Sequence, residues 1–195
     1  MWEAVEKMIL NPKTVIGDCL ETAFGLPIYV EIICRAKNGG QFADEDFRKK
    51  YNAYYRVRQR KPEWYAEYYR LMESQHSTNK SFEELLRALL PYGGIEVSFS
   101  SKLLSTIDTN RPIWDQYVLK SLGRFDEWTS FSQRPCEERI KKAVSLYAEI
   151  EQWYVDFLNT QTGKECIKQF DTVLSQYADI ISATKKIDYM LVSKR

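Results

Sequence analysis

The sequence has little histidine and little cysteine, and both shortages restrict the chemistry open to the protein. Its 195 residues include one histidine, His76, and four cysteines that form no CxxC pair. A zinc site needs several thiolate or imidazole ligands at short spacing, so we expect no metal site, and no motif indicates another cofactor. His76 lies in the polar stretch ESQHSTNK, which predicts a surface loop. The cysteines are interpreted as buried thiols of a reducing compartment: Cys19, Cys34, Cys136 and Cys166.

The sequence also lacks an excess of one charge and a long apolar run. It has 28 basic and 27 acidic residues, so affinity for nucleic acid would need locally clustered charge. The most apolar stretch, LPIYVEIIC, contains Glu31 and is far shorter than the roughly 20 residues that cross a bilayer. The N-terminal stretch MWEAVEKMILNPK has acidic residues where a secretory signal has basic ones. We therefore expect a cytoplasmic protein that does not enter a membrane.

Alternating patterns typical of strands are scarce, and only GIEVSF suggests one. Helical patterns cover most of the chain, and 44% of its residues are hydrophobic, which is ample for a core. We therefore expect an all-α fold over residues 1–195, as a single helical domain with one lobe or two. In the first half of the chain, helices are predicted at residues 2–9, 11–25, 27–37, 43–60 and 61–75.

Capping and periodicity signals define the later helices. Ser81, followed three positions later by Glu84, forms a capping box at the head of SFEELLRALL. In residues 135–195, apolar residues recur every three or four positions, as in helices that bury one face. This region therefore predicts two long antiparallel helices joined at Gly163.

The segment from Arg48 to Lys61 contains seven basic residues and no acidic one, interleaved with tyrosines. Basic side chains neutralise phosphates and aromatic faces stack on bases, so the segment is a candidate nucleic-acid surface. The candidate DNA contacts are Arg56, Arg58, Arg60 and Lys61. The alternative is that Tyr51, Tyr54 and Tyr55 form a core stripe while the basic groups face solvent. The sequence favours neither interpretation.

The segment 81–123 combines two features, and each allows two interpretations. Gly93 and Gly94 separate two helical patterns, and such a turn can expose backbone amides to an anion such as a phosphate. Alternatively, the glycines only end one helix and start the next. Asp115 follows Pro112 at the start of another helix, where the helix dipole stabilises a carboxylate whether or not it has a chemical role.

Together these features resemble the helix-hairpin-helix superfamily of base-excision DNA glycosylases. That family's signature is a leucine-rich helix, an L-P-G-x-G hairpin, a second helix and a V-D dipeptide that opens the next helix. Gly94 lies 21 positions before Asp115, close to the family spacing. The matching residues are Leu90, Pro91, Gly93 and Gly94 in the hairpin, Trp114 and Asp115 in the dipeptide, then Val118, Leu122 and Gly123.

The resemblance implies that the protein binds double-stranded DNA, damaged or abasic, and excises a base by a monofunctional mechanism. Gly93 and Gly94 would bind a phosphate through backbone amides. Asp115 would stabilise positive charge on the sugar or activate the attacking water. The base would first be flipped into a pocket, for which the candidate residues are Trp64, Lys102 and Trp114.

The hairpin departs from the family pattern at two positions. Tyr92 replaces the first glycine, and Glu96 occupies the position of the lysine that forms a Schiff base in bifunctional members. Lys102 lies two turns further along the helix and is not assigned that role. The departures favour a monofunctional enzyme, or a relative that kept the fold and lost the activity.

A second hypothesis is a non-enzymatic, all-helical interaction protein that binds a protein or RNA partner. In that case the C-terminal helices pack against each other or a partner chain, and Asp115 only starts a helix. The near-neutral charge and the altered hairpin favour this hypothesis. The combination of hairpin, spacing and Asp115 favours the glycosylase.

Overall fold

A computed structural model describes the protein over residues 25–37 and 41–192. This part of the chain contains ten α-helices and no strand, which confirms the all-α prediction. Contacts between residues divide the chain into two compact units. The hairpin unit comprises Gly25–Asp108, and the C-terminal unit is described over residues 109–192.

Five helices form the hairpin unit, and the last of them contacts three others. They are α1 Leu26–Lys37, α2 Glu45–Tyr54, α3 Pro62–Thr78, α4 Phe82–Gly93 and α5 Val97–Ile107. Helix α1 packs on α2 and α5, while α3 and α4 pack on each other and on α5. Ser81 and Glu84 form the predicted capping box at the start of α4, because each side chain accepts a hydrogen bond from the other's backbone N–H.

Aromatic side chains form the core of the hairpin unit. Tyr51 and Tyr55 are buried and Tyr54 is half-buried, so the tyrosines of the basic segment belong to the core. The hydroxyls of Tyr51 and Tyr68 lie 2.7 Å apart, and the Tyr68 hydroxyl also donates to the Phe99 carbonyl at 2.9 Å. Burial raises the pKa of both tyrosines, so the cluster stays neutral and hydrogen-bonded.

The C-terminal unit is also built from five helices in its described part. They are α6 Gln116–Ser121, α7 Phe125–Thr129, α8 Cys136–Asn159, α9 Gln161–Val173 and α10 Ala183–Val192, with a 3₁₀ turn at Ser175–Tyr177. Helix α10 packs on α6, α8 and α9, and the Ser121 hydroxyl donates to the Leu191 carbonyl at 3.0 Å. The last helix of the described chain is therefore a central element of its unit.

Two helix boundaries in the C-terminal unit were predicted wrongly. The predicted break at Gly163 lies at Thr160, which caps α9 by accepting from the Gly163 amide. A Cβ at Gly163 would lie 2.1 Å from the Phe157 carbonyl oxygen, so this glycine permits a close approach between the end of α8 and the start of α9. The helix predicted to continue through residue 195 ends at Val173, and α10 begins only at Ala183.

The helix predicted at residues 43–60 is also too long, because α2 ends at Tyr54 and residues 55–61 form a loop. The GIEVSF stretch is a turn followed by the start of α5 rather than a strand. The helices predicted at residues 2–9 and 11–25 fall almost entirely outside the described residues.

The predictions for histidine and cysteine are only partly confirmed. His76 is exposed, but it belongs to α3 and stacks on Phe42 with ring centres 5.6 Å apart. Cys166 is buried as expected, whereas Cys34 and Cys136 are exposed, so the buried-thiol interpretation is wrong for these two. Cys19 lies outside the described residues.

Candidate nucleic-acid interface

The hairpin between α4 and α5 has the predicted helix–turn–helix form. Gly94 caps α4 with φ 90° and ψ −157°, a backbone conformation that favours glycine, and its amide donates to the Leu90 carbonyl at 3.1 Å. The Gly94 amide is therefore engaged in ending α4. The first-turn amides of a helix have no intrahelical acceptor. At the N-terminus of α5, the backbone N–H groups of residues 97–99 are therefore the hydrogen-bond donors that could bind an anion.

Gly93 allows a close approach beneath the hairpin. A Cβ at this position would lie 2.4 Å from Glu96 Oε1 and 2.8 Å from Trp64 Cδ1. Trp64 is fully buried and stacks on Tyr68 with ring centres 4.7 Å apart. The structure therefore places Trp64, a candidate pocket residue, in the packing that supports the turn.

Glu96 fills the position of the missing lysine with a buried, ion-paired carboxylate. Its Oε2 accepts a hydrogen bond from Arg60 Nη2 at 3.0 Å. Burial raises the pKa of Glu96, and the Arg60 guanidinium opposes that rise. The same guanidinium lies 5.4 Å from the Trp64 ring centre and 5.1 Å from that of Phe99. Arg60 was predicted to contact DNA, but in the structure its guanidinium is engaged by Glu96 and the neighbouring aromatic rings.

Residues 55–61, which we call the basic loop, connect α2 to α3. Arg56, Arg58 and Lys61 are exposed and form no ion pair with a described residue. Arg56 and Gln59 have left-handed φ values of 54° and 55°, which side chains other than glycine rarely adopt. Such strain persists only where surrounding contacts impose it, and it is concentrated at functional sites.

The basic loop is tied to α5 at two points. One is the Arg60–Glu96 ion pair, which reaches the residue just before the helix. The other is Lys102, whose Nζ donates to the Tyr55 carbonyl at 3.3 Å and lies 5.0 Å from the Phe99 ring centre. The structure therefore brings the basic loop and the hairpin together within one unit, which the sequence did not indicate.

Tyr92 adds an exposed aromatic ring to the hairpin. It is 41% exposed, whereas most aromatic side chains described in this unit are buried or half-buried. Tyr92 precedes Gly93 in the last turn of α4 and lies within electrostatic reach of Arg70. The position where the family pattern has a glycine thus carries a partly exposed tyrosine side chain.

Asp115 lies in the C-terminal unit and starts α6 as predicted. Its Oδ1 accepts a hydrogen bond from the Tyr117 amide at 2.8 Å, and the side chain is half-buried. Trp114, the second aromatic pocket candidate, is buried against Trp128 with ring centres 5.2 Å apart. Gly123 ends the short helix segment with φ 67°.

Sequence reasoning missed a buried charged group near Asp115. Asp188 on α10 is 1% exposed, and burial raises its pKa to about 6, with a further rise from Asp115 and opposing effects from Lys185 and Tyr154. The only sequence signal for this buried group is that the charged stretch KKID is followed directly by the apolar stretch YMLV in one helical segment. A perturbed, buried carboxyl group is a candidate functional residue.

Two kinds of site are not found in the described ranges. No group of three or more His, Cys, Asp or Glu side chains within residues 25–37 and 41–192 could hold a metal ion. None of the described helices combines the length and the apolar character needed to cross a membrane.

No protein-family model, curated protein or solved structure matches the chain. The resemblance to the glycosylases therefore depends on the residues of segment 81–123. The structural support for a binding surface comes from the side-chain contacts within the hairpin unit.

Proposed function

We propose that the protein is a monofunctional DNA glycosylase of the helix-hairpin-helix type that binds damaged double-stranded DNA through the basic loop and the hairpin. The Arg60–Glu96 ion pair is the observation that carries the proposal. It joins Arg60 of the basic loop to the residue just before α5, and the cations Arg58 and Lys61 neighbour Arg60 in the chain. Cations and free helix amides are two kinds of group that bind phosphates.

The exposed charges of the basic loop suit a phosphate backbone rather than an isolated anion. Arg56, Arg58 and Lys61 are spread over six residues and point into solvent, so they can contact successive phosphates. Such contacts position a duplex and carry no sequence information. This property fits an enzyme that must find a lesion in any sequence.

Tyr92 is suited to contact a base that has left the stack. Aromatic faces stack on unpaired bases with about 1–3 kcal/mol per base. The exposed Tyr92 ring lies on the hairpin that also supplies the helix amides of α5. We therefore expect tighter binding to DNA with an abasic or unpaired position than to intact duplex.

Asp115 is the proposed catalytic carboxylate. Its hydrogen bond from the Tyr117 amide fixes one oxygen, which orients the carboxylate at the start of α6. A fixed carboxylate can stabilise positive charge on a departing sugar or accept a proton from the attacking water. The carboxylate of Glu96 cannot form a Schiff base, so this position offers no lyase nucleophile.

The binding proposal is tested by removing the exposed cations of the basic loop. The triple variant Arg56→Gln, Arg58→Gln, Lys61→Gln should weaken binding to a duplex carrying an abasic-site analogue by roughly tenfold or more at low salt. The salt slope, log Kd against log salt, should fall by up to about 3, at about 0.9 per lost phosphate contact. Fluorescence anisotropy across a salt series measures both quantities.

A matched control removes three exposed lysines from the C-terminal unit, Lys141→Gln, Lys164→Gln and Lys168→Gln. It makes the same change in net charge, so non-specific electrostatics would affect both triple variants equally. Equal losses in the two variants, or no loss in either, would overturn the assignment of the surface.

The catalytic proposal is tested by Asp115→Asn. Asparagine caps helices as well as aspartate does, so the fold and the DNA affinity should be retained. Excision of a damaged base, measured by strand cleavage at the resulting abasic site across a panel of lesions, should fall by roughly a thousandfold. A variant that excises at the parent rate would exclude Asp115 as the catalytic residue.

A helical interaction protein remains the second candidate, because the C-terminal unit exposes large apolar side chains. These are Val155 in α8, Val173 in α9 and Ile180 in the segment before α10, at 53%, 40% and 38% exposure. Scattered apolar residues occur on many monomers, so they support a protein partner only weakly. If fluorescence anisotropy detects no binding to intact duplex or to the duplex with an abasic-site analogue, this second function is favoured.

A further inference from the structure

The Arg60–Glu96 ion pair joins a cation that solvent reaches to a carboxylate that solvent hardly reaches. The side chain of Arg60 is 31% exposed, whereas that of Glu96 is 8% exposed. Arg58, two positions before Arg60, and Lys61, one position after it, are both exposed. A molecule outside the protein can therefore contact Arg60, while Glu96 is largely screened from it.

The ion pair uses only part of the hydrogen-bonding capacity of Arg60. A guanidinium has five N–H donors and can form two parallel hydrogen bonds with one carboxylate. Here Arg60 Nη2 donates to Glu96 Oε2 at 3.0 Å, and the Arg60 Nε has no hydrogen-bond partner among the described residues. The other oxygen, Oε1, lies on the side of Gly93, 2.4 Å from the position of a Cβ there. The pair is therefore held by one of the two bonds that this geometry allows.

Two aromatic rings hold the Arg60 guanidinium without using its hydrogen-bond donors. Its Cζ lies 5.4 Å from the ring centre of Trp64 and 5.1 Å from that of Phe99. Trp64 is fully buried in α3, and Phe99 belongs to α5. The attraction between a cation and an aromatic ring does not need a carboxylate. We therefore expect the guanidinium to keep its place when the charge of Glu96 is removed.

Glu96 adds a negative charge beside a loop whose own charged residues are all basic. It is the N-cap residue of α5, but its side chain forms no capping hydrogen bond and is paired with Arg60 instead. Opposite charges at hydrogen-bonding distance largely cancel each other's effect on a third charge further away. An approaching phosphate is thus attracted by Arg56, Arg58 and Lys61, while the charge of Arg60 is offset.

We propose that Glu96 masks Arg60 and thereby lowers the affinity of the basic loop for a phosphate backbone. When the charge of Glu96 is removed, the Arg60 guanidinium is free to bind a phosphate diester as a fourth cationic contact. The inference rests on the proposed DNA-binding function of this loop and adds a residue that sets the strength of binding. Because phosphate contacts carry no sequence information, the mask weakens binding to every duplex alike.

A double-mutant cycle tests the mask, with the parent, Glu96→Gln, Arg60→Gln and the double variant of the full chain. Fluorescence anisotropy across a salt series measures Kd for a duplex that carries an abasic-site analogue. Glu96→Gln should bind roughly threefold or more tightly at low salt, and its salt slope should rise by about 0.9 for one added phosphate contact. Arg60→Gln should lower the affinity by a larger factor in the Glu96→Gln background than in the parent. Equal factors in both backgrounds would overturn the proposal, because they indicate independent charges.

The control Glu83→Gln removes an exposed carboxylate of α4 in the same unit. Glu83 binds Arg87 one turn later, with Oε1 2.9 Å from Nε and 2.8 Å from Nη2. The control therefore makes the same change in net charge and also releases an arginine from an ion pair. It should change Kd by less than about twofold and show no coupling to Arg60→Gln. A gain equal to that of Glu96→Gln would indicate a general charge effect and contradict the mask.

Circular dichroism checks that each variant folds. Glutamine keeps an oxygen that can accept from Arg60 Nη2, so Glu96→Gln should retain the helices. If it does not fold, Arg60→Gln is compared with Arg58→Gln in the otherwise unchanged chain. The masked Arg60 should contribute less to binding than the exposed Arg58. A loss of affinity for Arg60→Gln as large as that for Arg58→Gln would overturn the proposal.

Inorganic phosphate separates this inference from the proposed function. If no protein of the cycle binds intact duplex or the duplex with the abasic-site analogue, the DNA-binding function is rejected. Phosphate titrations of the parent and of Glu96→Gln, followed by NMR at the Nε–H resonance of Arg60, then decide whether the mask exists. Glu96→Gln should bind phosphate roughly threefold or more tightly than the parent, because its guanidinium is free for a charge-assisted hydrogen bond. Equal binding, or binding to neither protein, would overturn the mask.

Discussion

The two units differ in the polar groups that their cores contain. The central core of the hairpin unit buries neutral hydroxyls, such as those of Tyr51 and Tyr68, which bond to each other and to the backbone. The C-terminal unit buries charged groups on a single helix, Lys185, Lys186 and Asp188. Lys186 binds Asp171 at 2.5 Å and the Ala178 carbonyl at 2.8 Å, while Lys185 faces Asp188.

This difference shows that the two cores should respond differently to pH. Tyrosine hydroxyls whose pKa is raised by burial remain neutral throughout the range in which the protein would be studied. A buried carboxyl group with a pKa of about 6 changes its charge within that range. The tyrosine cluster of the hairpin unit therefore keeps its charge state in this range, whereas the C-terminal unit contains a buried group that titrates in mild acid.

The largest expected change in stability comes from removing an aromatic side chain from the core of the hairpin unit. Trp64 is fully buried and supports both Gly93 and Arg60. Trp64→Ala should lower the free energy of unfolding by about 3–5 kcal/mol, because it leaves a cavity and removes an aromatic contact. Urea unfolding measures the loss. The control Tyr92→Ala, at an exposed position of the same unit, should change stability by less than about 0.5 kcal/mol.

The next effect concerns the charged core and depends on pH. The folded pKa of Asp188, about 6, lies above the ordinary value of 3.8. The folded state thus holds its proton more tightly than the unfolded state does. The stability from this group is present below about pH 4 and is lost as the pH rises through about 6. At 1.36 kcal/mol per pKa unit, the loss is about 3 kcal/mol.

This pH dependence is measured as a difference between two proteins. Urea unfolding of the parent and of Asp188→Asn is followed from about pH 3.5 to pH 7.5, and the stability difference between them should change by about 3 kcal/mol, mostly between pH 4 and 6. Taking the difference cancels the pH-dependent contributions that the two proteins share. Examples are the contributions of Asp44 and Glu127, whose pKa values are lowered by hydrogen bonds and cations. A pH-independent difference would show that Asp188 does not titrate in this range.

The smallest effect compares the two glycines of the hairpin. Gly93→Ala should destabilise the protein by about 1–3 kcal/mol, because its Cβ would overlap Glu96 and Trp64. Gly94→Ala meets no atom within 4 Å and carries only the strain of φ 90°, about 1 kcal/mol. Thermal unfolding ranks the two variants. A larger loss for Gly94→Ala would mean that backbone conformation, rather than close packing, determines the turn.

Local signals in the sequence were reliable where the structure depends on neighbours in the chain. The capping box of Ser81 and Glu84 and the helix start at Asp115 involve residues two or three positions apart, and both were confirmed. The hairpin was also recognised from adjacent glycines. By contrast, the helix predicted at 43–60 was too long, because the ties of residues 55–61 to α5 come from Glu96 and Lys102, distant in the sequence.

The features of the candidate site can be divided in the same way, into those that depend on neighbouring residues and those that depend on contacts between distant residues. Asp115, Gly93 and the basic residues could be named from their residue types and spacing. The joining of the basic loop to the hairpin could not, because the Arg60–Glu96 pair spans 36 residues and the Lys102–Tyr55 contact spans 47. Nor could the tyrosines be assigned to the core until α3 and α5 were seen to pack around them.

By itself, the sequence determined an all-α protein with its main helix starts, its hairpin and its candidate residues, because helix periodicity and capping act over a few positions. Only the tertiary structure decided which charged groups are exposed. KKID on α10 has the composition of a solvated stretch, yet Lys185, Lys186 and Asp188 are buried because α6, α8 and α9 pack around that helix. Burial is a property of contacts between distant segments, and it gives Asp188 its raised pKa.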